Sequence, residues 1–115
     1  MDCYTVNQMP KPPAPPEEMS TNARHAAAFL KTLAHEGRLM ILCHLGSGEK
    51  SVGELEELLE IRQAAVSQML ARLREEGLVT TRRDGKTIYY RLANDDTSRV
   101  IALLYDMFCA DSNAC

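Results

Sequence analysis

The sequence has no tryptophan, few aromatic residues of any kind (5%), and no apolar stretch long enough to cross a bilayer. Runs such as Leu39-Met40-Ile41-Leu42-Cys43 fall far short of the roughly 18 to 20 residues that a span requires. The start, Met1-Asp2-Cys3-Tyr4, lacks the basic and apolar regions of a secretion signal, so the chain is expected in the cytoplasm. There is no phosphate-cradling glycine loop and no recognisable nucleophile–base pair, which argues against an enzyme. At 115 residues there is also no room for two domains enclosing a large cleft, so one domain with one core is expected. The apolar (45%) and charged (25%) fractions are those of an ordinary globular protein and fit neither intrinsic disorder nor a fibrous repeat.

Four cysteines are present: Cys3, Cys43, Cys109 and Cys115. In a reducing compartment they read as redox or metal chemistry before they read as structural disulfides. The net charge of −3 argues against a nucleic-acid partner only as a sum, because its distribution is uneven. Residues 62–91 carry +4, residues 1–61 carry −4 and residues 92–115 carry −3. A basic centre between acidic flanks suits a module that turns one face to phosphates, although a solvated charged face gives the same count.

All five prolines fall within Pro10-Lys11-Pro12-Pro13-Ala14-Pro15-Pro16. Residues 1–18 are therefore expected to form a stiff, disordered leader, with a proline-binding partner as the alternative. From about Met19 the three- and four-residue spacing of Ala23, Ala26, Ala27, Leu30 and Leu33 predicts a helix, with Ser20, Thr21 or Asn22 as its cap. A second helix is expected over about His35 to Leu45, ended by Gly46-Ser47-Gly48. Ser51-Val52-Gly53-Glu54 has the form of a capping box, so a short helix is predicted from Val52 to Leu59 and is broken at Glu60-Ile61-Arg62.

The next predicted helix, Gln63 to Glu76, puts Val66, Met69, Leu70 and Leu73 on one face. The other face carries Ala64, Ser67, Gln68, Ala71 and Arg72, small or hydrogen-bonding groups of the kind a helix needs to read base edges in a major groove. These two helices make a helix-turn-helix candidate. Leu78–Arg83 and Lys86–Leu92 are rich in β-forming residues and flank Asp84-Gly85, a strong hairpin signal. A two-residue Asp84-Gly85 turn would pair Val79 with Tyr90 and Thr81 with Ile88. It would present Arg82, Arg83, Lys86 and Arg91 as a wing of phosphate-contacting cations; the plainer alternative is an edge hairpin charged against aggregation. A last helix, from about Asp96 to Cys109 and capped by Asn94 or Asp95, carries Ile101, Leu104, Tyr105 and Phe108. With the first helix it is expected to form a two-fold dimer interface that offers two reading heads to palindromic DNA.

The expected fold is thus mainly α with a small β-hairpin, in the order α-α-α-α-β-β-α: a winged helix-turn-helix over residues 19–110, with 111–115 as a tail. Leu33–Leu42, Ser51–Leu55, Ala65–Val79 and Thr81–Leu92 resemble the ArsR/SmtB family of winged-helix repressors, over about residues 22 to 110. The resemblance implies a homodimer that releases operator DNA when an inducer alters it. It places Gln63, Ala65, Ser67 and Gln68 at base-reading positions; Arg72 on the exposed face of the same helix and Arg82, Arg83 and Lys86 on the wing are the accompanying DNA contacts expected from the residues themselves. Arg62 departs from the family pattern, which often has Ser or Thr capping the recognition helix.

Many family members bind metal through cysteines near the start of the helix-turn-helix or through Asp and His on the last helix. Here there is no cysteine from Ser51 to Leu59 and no histidine after His44. A four-ligand zinc site is disfavoured, and neither metal nor cofactor is expected. Cys43 and Cys109 match the sulfide-, persulfide- and oxidant-responsive branch of the family. The match implies that a disulfide or polysulfide bridge between them lowers operator affinity, with low-molecular-weight persulfides or oxidants as inducers. Cys43 could instead be a small buried hydrophobe. Other readings are a thiolate-based soft-metal or arsenite sensor and a winged helix that binds only protein.

Overall fold

The computed structural model describes residues 16–109. The expectations for residues 1–15 and 110–115 lie outside the described residues. The element order is α1 (Pro16–Leu33), α2 (Glu36–Leu45), β1 (Lys50–Ser51), α3 (Val52–Leu59), α4 (Gln63–Glu75), β2 (Val79–Asp84), β3 (Thr87–Leu92) and α5 (Asp95–Phe108). No helix among the described residues is long and apolar enough to cross a membrane. The chain divides after Leu30 into two compact units.

The first unit contains most of α1. Its start corrects the expected boundary: Pro16, Glu17 and Glu18 are helical instead of belonging to the leader. Proline suits a first helical residue because its missing N–H would have had no partner there, and two glutamates in the first turn favour the positive end of the helix dipole. Ser20, Thr21 and Asn22 consequently lie inside the helix instead of capping it, and the Thr21 hydroxyl donates back to the Glu17 carbonyl at 3.2 Å.

The second unit, from Lys31 onward, holds the core. Arg38 closes the end of α1, its Nε donating to the Thr32 carbonyl at 2.8 Å, which satisfies a carbonyl the helix itself cannot. His35 caps α2 by accepting from the Arg38 N–H through Nδ1 at 3.3 Å. Ile41, Leu42, Leu55, Val66, Leu70 and Leu73 are completely buried, and Leu78, Val79 and Ile101 nearly so. Each contributes roughly 1.5–3 kcal/mol by leaving water. Gly37 lets α2 approach α4 closely, since a Cβ there would stand 2.5 Å from Met69 Sδ.

The sheet has three strands in the order β1-β3-β2, all antiparallel. β1 was not anticipated, because two residues carry no alternation to read. The hairpin register also differs from expectation: Val79 pairs with Leu92, and Thr81 with Tyr90. Asp84 pairs with Thr87, so Gly85-Lys86 forms the two-residue loop instead of Asp84-Gly85. Of these two turn residues only Gly85 has a positive φ (+66°). That is the sign pattern of a type II′ turn, which asks for glycine first, whereas type I′ would need both residues left-handed. The shift is two residues, so each side chain keeps its expected face.

Asn94 caps α5, its Oδ1 accepting from the Thr97 N–H at 2.9 Å and the Thr97 hydroxyl at 3.0 Å. Of the expected α5 stripe, Ile101 belongs to the core and Leu104 is half-buried. Tyr105 and Phe108 are exposed, together with Leu103 and Met107.

Candidate functional site

The reading head starts at Ser51. Its hydroxyl accepts from the Glu54 N–H at 3.1 Å while the Glu54 carboxylate accepts from the Ser51 N–H at 2.8 Å, closing the capping box that starts α3. At the other end of α3, Glu60 takes a left-handed conformation (φ 58°) and turns the chain into α4. Arg62 sits at the N-cap of α4 and makes no side-chain cap bond. It instead lines a shallow groove with Ala64, Ala65, Ser67 and Gln68.

The amphipathic reading of α4 is what the structure contains. Val66, Leu70 and Leu73 are buried, while Gln63, Ala64, Ser67, Gln68, Ala71 and Arg72 are exposed and Ala65 is half-buried. Small residues beside amide and hydroxyl groups leave this face free to approach base edges closely. Arg72 forms an exposed pair with Glu76 at 3.3 Å, one helical turn away. Such a pair holds weakly in water.

Lys86, in the hairpin loop, lines one cleft with Gln63 at the start of α4 and with Ser51 and Gly53. The wing tip therefore stands beside the first turn of the recognition helix. Arg83 and Lys86 are both exposed. Arg82 is placed differently from the expectation of a free phosphate contact. Its Nε donates to both carboxylate oxygens of Glu49, at 3.0 and 3.3 Å, and its Nη2 donates to the same carboxylate. The guanidinium also lies 4.8 Å from the centre of the Tyr89 ring. Hydrogen bonding to Arg82 holds the Glu49 carboxyl below its usual pKa and raises that of Arg82. Glu49 gave no signal in the sequence, because its partner lies 33 residues away. Glu54, Glu56, Glu57 and Glu60 of α3 and its end line an adjoining hollow whose lining also includes Arg62. The excess of carboxylates disfavours a phosphate there.

Cys43 lies on the solvent side of α2, exposed, with a free thiol. It is therefore not the small buried hydrophobe of the plainer reading. It lines a cavity of about 280 Å³ with Gly46, Ser47, Leu92, Ser98, Ile101, Ala102 and Tyr105. Partial desolvation pushes its thiol above the ordinary value. Arg38 does not lower it, being engaged with the carbonyls at the end of α1. Cys109 is half-buried at the C-cap of α5, its N–H donating to the Tyr105 carbonyl at 2.7 Å, so it stands one turn beyond the cavity wall. Cys109 is disulfide-bonded, and since Cys43 is free the two are not joined to each other here. No group of three or more His, Cys, Asp or Glu among the described residues is placed to hold a metal ion.

A helix pair opened by a capping box and exposing a reading face, followed by a cationic hairpin at its side, defines a winged helix-turn-helix regulator of transcription. Residues 35–81 match the model of the bacterial regulatory protein arsR family. The chain is 55% identical over 92 residues to the biofilm growth-associated repressor of Agrobacterium fabrum, covering 80% of this chain and 79% of that protein. Reduced HlyU from Vibrio cholerae superposes with a TM-score of 0.78 at 45% identity, covering 81% of this chain and 98% of that one. The transcriptional repressor BigR from Xylella fastidiosa does so with a TM-score of 0.77 at 44% identity, covering 88% and 100%. The chain belongs to the ArsR family, as a transcriptional repressor similar to BigR and HlyU and not an enzyme.

Proposed function

We propose that the protein is a homodimeric repressor that binds palindromic operator DNA and releases it when sulfur links Cys43 to Cys109. Gln63, Ala65, Ser67 and Gln68 read base edges, while Arg62, Arg72, Arg83 and Lys86 contact phosphates. The dimer is favoured by the large apolar side chains that α1 (Met19, Leu30) and α5 (Leu103, Tyr105, Met107) each leave exposed. Two reading heads on one rigid dimer tolerate little change in spacing, so a covalent link between α2 and α5 lowers affinity.

The observation that carries this reading is the free Cys43 thiol opening onto a cavity whose opposite wall is the Ser98, Ala102 and Tyr105 face of α5. Cys109 ends that same helix. In the reduced protein, a low-molecular-weight persulfide transfers its outer sulfur to Cys43 and leaves as a thiol. Attack by Cys109 on the Cys43 persulfide then gives the disulfide and releases hydrogen sulfide, and further sulfur transfer before closure gives a polysulfide. An oxidant reaches the same disulfide by accepting the two electrons.

The test uses duplexes selected from random sequence by the fully reduced protein. Cys43→Ser and Cys109→Ser proteins are expected to bind them like wild type and to keep binding after persulfide treatment, whereas wild type is released. An unchanged response in both variants would overturn the proposal. Mass spectrometry of treated wild type counts the sulfur atoms in the bridge.

A further inference from the structure

We infer that Glu49 and Arg82 form a clamp that positions the wing, and that Arg82 acts on DNA through Glu49 and not by touching phosphate. The inference rests on the DNA-binding reading above. Three observations support it. Arg82 lies on β2 and Glu49 lies immediately before β1, so their bond crosses the whole sheet over the central strand β3. What it crosses is Tyr89: Arg82 pairs with Tyr89 on one side, Ser51 pairs with it on the other, and the guanidinium lies 4.8 Å from the ring centre. The residues tied down at the β1 end include Ser51, whose hydroxyl caps α3. The clamp therefore fixes the hairpin against the element that starts the helix-turn-helix, and with it the position of Lys86 beside Gln63.

The chemistry of the pair fits positioning better than phosphate binding. Nε and Nη2 are both spent on one carboxylate, and Nη1 lies 3.8 Å from Asp84. A phosphate would have to displace Glu49 and would then face that carboxylate and Asp84 together, whereas Arg83 and Lys86 offer cations with no such cost.

Operator affinity and its salt dependence separate the two roles. The variants are Glu49→Gln, Arg82→Gln, the double variant, and the exchange Glu49→Arg with Arg82→Glu. The clamp predicts that Glu49→Gln weakens operator binding by about two- to fivefold, the scale of one good surface charge pair. It predicts that the double variant is no weaker than Arg82→Gln alone and that the exchange recovers part of the loss. Arg82→Gln is expected to leave the salt slope changed by well under one. The clamp is overturned if Glu49→Gln binds as well as or better than wild type. It is equally overturned if Arg82→Gln lowers the slope by about one, the signature of a lost phosphate contact. Thermal unfolding controls for misfolding, and if Glu49→Gln is unfolded the exchange variant decides alone. Wild type that fails to select any duplex overturns the DNA reading itself, a separate result.

Discussion

Ser51 faces two ways: its backbone pairs with Tyr89 of β3, and its hydroxyl caps α3 by accepting from the Glu54 N–H. One residue is therefore the joint between the wing and the helix-turn-helix. Ser51→Ala removes the cap and keeps the backbone pairing, so stability is expected to fall by about 1 kcal/mol. Chemical denaturation measures this. A loss below a few tenths of a kcal/mol would mean that the capping box adds little to α3.

Arg62 offers a trade between stability and binding. It occupies the N-cap of α4 without making a cap bond, so Arg62→Ser is expected to stabilise the fold by roughly 0.5–1 kcal/mol through a new bond to a free N–H. The same change removes a cation from the groove beside Ala65 and Gln68. Operator affinity should fall and its salt slope should decrease by about one. Stabilisation with undiminished affinity would show that Arg62 does not contact phosphate.

Cys43 is expected to react slowly at neutral pH. Desolvation raises its pKa, and alkylation follows the thiolate. The rate at Cys43, followed by mass spectrometry, should rise with pH to a midpoint above that of a free thiol, about 8.5. The linked effect on stability has a definite sign. The folded chain keeps a proton that the unfolded chain has released, so the thiol's contribution is full below the unfolded pKa. It is lost as pH climbs from there through the folded pKa. Cys43→Ser should remove that alkaline loss, and a midpoint at or below the free-thiol value would contradict the desolvated environment.

Gly85 sets the wing turn with φ +66°. Gly85→Ala is expected to cost about 1 kcal/mol or more, because a Cβ is disfavoured on left-handed backbone. The loss should appear in thermal unfolding. An unchanged midpoint would mean that the turn relaxes to another type without cost.

Much of the fold was legible because its signals are local. The capping box at Ser51 and Glu54, the apolar face of α4 and the Asn94 cap all lie within four residues of their partners, so the spacing of residue types suffices to place them. The helix-turn-helix, the wing and the family likeness follow from those same short stretches. Even the hairpin faces were right although the register was two residues off, because alternation fixes the face while the turn type fixes the register.

What the tertiary structure decided are relations between distant residues. Two-residue β1 exists only because β3 is beside it. The sequence marks Arg82 as a wing cation, and only the fold brings Glu49 to it from 33 residues away in the chain. Cys43 and Cys109 could be named from their motifs. That the first is a partly desolvated free thiol on a cavity walled by α5 depends on how α2 and α5 pack. Local spacing dictates which elements form, and packing dictates which side chains remain free to act.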